Sequence, residues 1–284
     1  MFRPGPISTG YALMDQATPW PVKSPYAMRP DMTALEDRPI LAEDRRWHEY
    51  IEQKLIYGSP VYARDWDPDI MIKVIAKLAQ LVPKGPVQLS ENNLIWPWIS
   101  SHGDQNLMQF LTMSLQEDFV VWTRNSRGEL AAQALSVCFP SGWDPREKVG
   151  MTFAEIHEPL ADADLIKQAS NHIAQMICTR GPFLRYVWSI SNTGGLSRRP
   201  DLIPPWTNQG LDDMWFRAER QVTVPIDQDT ALFLIRVYVT PLKRIIEFQD
   251  KALALKASIN SMSDAVIEYK GFGYVREWIN QHVA

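Results

Sequence analysis

The sequence is poor in the two residues that most often organise metals and disulfides. Its two cysteines, Cys138 and Cys178, cannot build a disulfide framework or a cysteine-rich zinc site. The five histidines, His48, His102, His157, His172 and His282, are separated by 54, 55, 15 and 110 residues. No pair has zinc-ligand spacing, so a histidine cluster would have to be assembled entirely by the fold. No apolar run approaches the roughly 18 residues that a membrane helix needs, and the opening MFRPGPISTGYALMDQ lacks the basic-then-apolar pattern of a signal peptide. Acidic residues (33) outnumber basic ones (29) for a net charge of −4, and no basic block marks a nucleic-acid footprint. The glycine-rich dinucleotide and phosphate loops, the H-E-x-x-H zincin motif and the G-x-S-x-G elbow are all missing. So is any repeat of 20–50 residues. What remains is a soluble chain of a reducing compartment, read as cytoplasmic.

Aromatic residues are plentiful: eleven tryptophans, ten phenylalanines and nine tyrosines. They suit a packed core or a pocket for a flat ligand, and composition alone does not choose. A length of 284 residues allows roughly two domains or one large one. Residues 1–40 carry seven prolines and no period, which predicts an extended N-terminal arm followed by one domain over 41–284. Apolar residues at helical spacing predict helices over Asp44–Tyr57, Asp67–Leu81 and Asn106–Leu115. After Asp118 the period drops to two. Phe119–Thr123 and Leu130–Phe139 read as a hairpin about Asn125-Ser126-Arg127-Gly128. A helix over Asp162–Arg180, a strand over Phe183–Ile190, and an irregular excursion over Asn192–Gln209 follow. Two strong strands, Met214–Val224 and Ala231–Thr240, lead to a helix from Pro241 to about Ser258 and a final one over Tyr274–His282. The fold class is therefore α+β: an antiparallel sheet of about five strands with helices on one face and the arm as cover for the other.

Strand alternation singles out a few polar residues. Trp215, Arg217, Glu219, Gln221 and Thr223 share one face of their strand, and Arg220 falls on the other, among Phe216, Ala218 and Val222. Arg236 lies between Leu234 and Tyr238 in the next strand. A buried guanidinium needs an anionic partner, so these arginines read either as ion pairs with Glu219 or Glu117, or as anchors for a bound carboxylate. His157 reads either as a hydrogen-bonded loop residue or as an axial ligand to a metal cofactor. His172, in line with Leu165, Ala169 and Met176, reads as core-facing or at the core's boundary. Cys138, with no basic neighbour before Arg146, reads as a buried, inert thiol.

Six segments occur in order: Gln116-Glu-Asp-Phe119, Cys138-Phe-Pro-Ser-Gly-Trp-Asp-Pro-Arg-Glu-Lys-Val-Gly150, Ile156-His-Glu-Pro-Leu160, Trp188-Ser-Ile190, Arg217-Ala-Glu-Arg-Gln221 and Arg236-Val-Tyr-Val-Thr-Pro-Leu242. Together they resemble the haem-dependent oxidative N-demethylase alpha-subunit-like family over about residues 40–250. The resemblance implies a haem-binding PAS-like domain with a five-stranded antiparallel sheet flanked by helices. It implies haem b held by His157, O₂ as co-substrate and a small amine or guanidine as substrate, demethylated or hydroxylated on nitrogen. It also implies electrons from a separate flavin and iron–sulfur reductase, since no FMN, 2Fe-2S or NADPH motif lies in this chain. Within that frame Glu219 is the expected partner of a cationic amine and Arg217 its neighbour in catalysis. Arg220 and Arg236 are the expected propionate anchors, and Trp143 of the FPSGWDP segment an expected cofactor contact. A haem-based gas or redox sensor is the alternative, and homo- or hetero-oligomers are compatible with both.

Overall fold

The computed structural model describes residues 18–42, 46–63, 65, 67–81, 104–162, 164–203 and 210–283. The first seventeen residues of the arm, the start of the first predicted helix at Asp44, His102 with its loop, and the end of the excursion at 204–209 lie outside the described residues.

Seven antiparallel strands form one sheet: β1 (Thr33–Ala34), β2 (Val61–Tyr62), β3 (Asp118–Arg124), β4 (Leu130–Ser136), β5 (Phe183–Ser191), β6 (Trp215–Pro225) and β7 (Thr230–Pro241), in the order β1-β5-β6-β7-β3-β4-β2. The expectation of five strands is thus corrected. The five long ones are those that alternation marks, and the two additions are edge strands of two residues, too short to show any period. Nine α-helices occur among the described residues: α1 (Trp47–Tyr57), α2 (Pro68–Leu81), α3 (Asp104–Ser114), α4 (Phe153–His157), α5 (Asp164–Thr179), α6 (Leu242–Ile246), α7 (Gln249–Asn260), α8 (Asp264–Lys270) and α9 (Gly273–His282). The single helix expected from Pro241 to Ser258 is two, broken at Glu247–Phe248. No helix among the described residues is long and apolar enough to cross a membrane.

Helices cover both faces of the sheet, which corrects the expectation of a one-sided layer. On the first face, Phe119, Val121, Leu184, Val222 and Leu234 pack with Met71 and Leu78 of α2 and Leu107 and Leu111 of α3. Further along that face, Trp188, Phe216 and Tyr238 pack with the C-terminal helices through Leu255, Val275 and Ile279. On the second face, Val120 and Trp122 meet Ile173, Ala174 and Ile177 of α5. The arm covers part of this second face, where Met32 packs against the same core, but it is not confined there. It feeds Leu35, Ile40 and Leu41 into the first core and packs Trp20 and Tyr26 against the C-terminal one. The alternation of β6 is as read: Glu219 and Arg217 point to the second face, and Arg220 to the first, beside its cross-strand partner Arg236.

Candidate functional site: a basic cavity on the second face of the sheet

Between the second face, α4–α5 and residues 21–32 lies a cavity of about 1150 Å³, above the roughly 300–1,000 Å³ usual for a single small-molecule site. Trp122, Phe233, Ile173 and Ile177 give it apolar walls, and Trp143, Phe153 and His157 line another side.

His157 is placed by a short helix with strong local signals. Thr152 caps α4 by accepting from the Glu155 amide (3.2 Å), and the Glu155 carboxylate accepts from the Thr152 amide (2.7 Å), a reciprocal capping box. One turn on, His157 Nδ1 lies 2.7 Å from the Phe153 carbonyl oxygen. A carbonyl only accepts, so Nδ1 carries the proton. Burial holds the ring's pKa below its ordinary value, with the Phe153 bond opposing and Arg185 adding to the depression. The result is a neutral imidazole whose Nε2 keeps its lone pair, the state in which histidine binds metals. His172 is exposed on α5, because the buried stripe of that helix runs through Ile173, Ala174 and Ile177 instead. This corrects its reading as core-facing or boundary. No group of three His, Cys, Asp or Glu that could hold a bare metal ion occurs among the described residues.

Glu219 is fixed at both oxygens. Ser141 Oγ donates to Oε1 in a short hydrogen bond, and Gln221 Nε2 donates to Oε2 at 2.9 Å. Arg217 is almost wholly buried, at 1% exposure. Its Nε donates to Ser141 Oγ (2.8 Å) and its two terminal nitrogens donate to the carbonyls of Leu196 and Phe139 (each 2.6 Å). It therefore locks the Phe139–Ser141 turn and the Leu196 loop beneath Glu219, with its Nε 3.6 Å from Oε1.

The structure brings His157, Trp143, Arg217 and Glu219 to one cavity and leaves out Arg220 and Arg236. Arg220 donates to the carbonyls of Ile40 (2.8 Å) and Pro39 on the first face, and Arg236 stacks 3.7 Å over the Tyr50 ring. As propionate anchors they are corrected, since neither reaches the cavity. Basic residues that the sequence reading missed stand there instead: Arg185 of β5, Arg198 of the excursion and Lys270 of α8. Burial lowers the pKa of all three, Arg198 to about 10 and Lys270 to about 8. The Nε atoms of Arg185 and Arg198 are buried without a hydrogen-bond partner. Arg185 was legible, since it shares the parity of Val187 and Ser189 and faces Gln221 across the ladder. Arg198 and Lys270 carry no local signal. Cys138 is buried, its thiol pushed up to about 12 by burial and by Asp118, and both cysteines are free.

Fold and site define an α+β protein built around a cofactor-sized, basic and aromatic cavity presenting one neutral histidine. The sequence model of the family described as haem-dependent oxidative N-demethylase, alpha subunit-like, matches residues 86–280, and the chain belongs to that family. The family's name implies a haem-dependent oxidative enzyme, and "alpha subunit-like" implies an assembly with other subunits. The residues present fit such a group. One neutral imidazole is available to an iron, aromatic and aliphatic walls suit a macrocycle, and two buried guanidinium nitrogens lack partners, as a pair of carboxylates requires.

Proposed function

We propose that the cavity holds haem b through His157 Nε2, and that the protein is a haem-dependent monooxygenase acting on a small amine by oxidative N-demethylation or N-hydroxylation. The observation that carries this reading is the state of His157: it lines the cavity, is held neutral, and commits Nδ1 to the Phe153 carbonyl. Arg185 and Arg198 take the place of Arg220 and Arg236 as propionate partners, and Trp143 adds an aromatic wall. Residues 41–284 act as one haem-binding domain with residues 1–40 as its arm. The five central strands, β4-β3-β7-β6-β5, support the PAS-like reading of that domain. Both cysteines being free is in keeping with the cytoplasm.

Haem supplies the oxidation chemistry when bound. The chain supplies the surroundings. Trp122, Phe233, Ile173 and Ile177 exclude water and lower the local dielectric. Glu219, aimed by Ser141 and Gln221, accepts hydrogen bonds from the substrate ammonium and takes up its proton. Arg217 is a positioning residue, because its nitrogens are spent on Ser141, Leu196 and Phe139. In N-demethylation the methyl carbon leaves as formaldehyde; O₂ accepts two electrons from the amine and two from a separate flavin and iron–sulfur reductase carrying FMN, 2Fe-2S and NADPH sites. A cavity larger than a single ligand needs leaves room for a substrate, which favours an enzyme over a haem-based sensor.

The test is haem titration of the wild type, His157→Ala and His172→Ala, read by visible spectra of oxidised, reduced and CO-treated protein. Wild type and His172→Ala should take up one haem with the same spectrum. His157→Ala should lose affinity by more than the roughly 10–100-fold that removing a ligand's hydrogen-bond partner costs. A His157→Ala protein with the wild-type spectrum would overturn the reading.

A further inference from the structure

The cavity is basic where a simple ammonium would want it acidic. Seven basic and three acidic side chains line it among the described residues, in a chain whose net charge is −4. Arg185 and Arg198 match the two propionates of the haem proposed above, and Arg217 is bound up in the wall. Four remain: Lys23 is exposed and pairs with Asp31, Arg29 is exposed, and of Lys148 and Lys270 it is Lys270 that three aromatic rings surround.

Lys270 is the last residue of α8, directly before Gly271, whose left-handed backbone (φ 66°) turns the chain toward α9. Its Nζ donates to the Trp188 carbonyl at 3.1 Å, which leaves two of three N–H donors for another acceptor. The rings of Tyr26, Trp188 and Phe272 stand 5.4, 5.7 and 5.5 Å from the ammonium. They favour the cation through their quadrupoles, and the half-buried side chain lines the cavity. Burial brings its pKa to about 8, opposed by the charge of Glu219 and reinforced by Arg198, which leaves the group mainly cationic at neutral pH. Lys270 and Glu219 are thus opposite charges that both line the cavity, and the charge of Glu219 is felt at Lys270. A bare amine would be drawn to Glu219 and repelled by Lys270, Arg198 and Arg185. A zwitterion satisfies both signs.

We propose that Lys270 is the carboxylate-recognising group of the substrate subsite, and that the substrate is an amine that also carries a carboxylate, of the N-methyl amino acid class. Its ammonium meets Glu219 and its carboxylate meets Lys270. The proposal rests on the haem reading only in assigning Arg185 and Arg198 to propionates. A haem propionate offers Lys270 the same carboxylate chemistry, and the experiment separates the two sources.

Haem-loaded wild type, Lys270→Met and Lys270→Arg would be titrated by calorimetry with N-methylglycine, N-methyl-β-alanine and 4-(methylamino)butanoate, which differ in charge separation. Dimethylamine and acetate are the controls. At least one amino-carboxylate should bind about tenfold or more tighter than either control, an advantage of about 1.4 kcal/mol. Lys270→Met should abolish that advantage while leaving haem affinity unchanged and dimethylamine binding as tight or tighter, because a repelling charge is gone, and Lys270→Arg should restore part of the advantage. Dimethylamine binding as tightly as all three amino-carboxylates would overturn the proposal. So would a Lys270→Met protein that loses haem affinity but keeps amino-carboxylate affinity, because the lysine would then hold a propionate. If the wild type takes up no haem, the haem reading falls by itself. The same titrations of the haem-free protein then decide the role of Lys270.

Discussion

Lys54 Nζ stands 3.5 Å from Asp118 Oδ1, and neither side chain reaches solvent. Lys54 also donates to the carbonyls of Glu117 (2.5 Å) and Thr112 (3.4 Å), and Asp118 Oδ2 accepts from the Phe139 amide at 2.7 Å. Burial pushes the Asp118 carboxyl up, and Lys54 is the largest influence in the other direction. The pair ties α1 to the start of β3 and to the turn whose Ser141 aims Glu219. Removing one member leaves a buried charge uncompensated. Lys54→Met and Asp118→Asn should each cost about 3–5 kcal/mol in urea unfolding, and the double variant should cost clearly less than their sum. Strict additivity would show that the two do not act as a pair.

Arg220 fastens the arm by donating to the Pro39 and Ile40 carbonyls. Arg220→Ala should therefore lower stability by about 1–3 kcal/mol and leave haem affinity where it was. A large loss of haem with no loss of stability would return Arg220 to the cofactor.

Stability should depend on pH through His157. Its pKa is lowered in the folded protein by burial, so below about pH 6.5, the ordinary histidine value, the unfolded chain binds more protons and folding weakens as pH falls. The contribution is intact above that pH and is lost on acidification through the lowered folded value. In His157→Gln, denaturation midpoints followed from pH 8 to 5 should fall less than in the wild type. Equal slopes would show that His157 does not report this burial.

Glu219→Gln keeps the shape of the side chain and one accepting oxygen, while its NH₂ can no longer accept from the second of its donors, Ser141 and Gln221. It should leave haem uptake unchanged and weaken binding of amine ligands by about tenfold or more, the loss of one charge-assisted contact at about 1.5–3 kcal/mol. Spectral titration with dimethylamine and N-methylglycine reads this directly. Unchanged affinities would remove Glu219 from substrate recognition.

Gly194 lies flat against Trp215, where an added Cβ would sit 2.6 Å from the indole ring. Gly194→Ala should cost about 1–3 kcal/mol by overpacking. It should also disturb the neighbouring Leu196 carbonyl that Arg217 grips, visible as a weaker amine response at unchanged haem content. A variant as stable as wild type would show that the loop shifts freely.

The residues of β6 and β7 were legible because a half-buried strand writes its two faces into the sequence. Read as Met214–Val224 and Ala231–Thr240, they are Trp215–Pro225 and Thr230–Pro241. The same alternation separated Glu219 and Arg217 from Arg220, yet it could not say which face held the cavity. That depends on α4 and α5 arriving from elsewhere in the chain. The break between α6 and α7 left no mark, since Leu242 and Ile245 before it and Ala252 and Leu255 after it are all buried and apolar. Lys270 sits in a short helix among charged and aromatic neighbours. Only contacts with Tyr26, more than two hundred residues earlier, and with Trp188 make it part of a site.

Both borders of the sheet end in strands of two residues. On one border, Thr33 and Ala34 pair with Leu184 and Phe183, and behind them stands β5, nine residues long. A strand of that length with its outer amides and carbonyls released is a template on which another chain can add itself. Thr33 and Ala34 occupy only the Phe183–Leu184 end of that edge, so the guard they offer against self-association is a short one. Stripping the arm back past them would lengthen the open edge by those two residues, on the strand that carries Arg185 into the cavity, and edge-to-edge joining along β5 becomes easier.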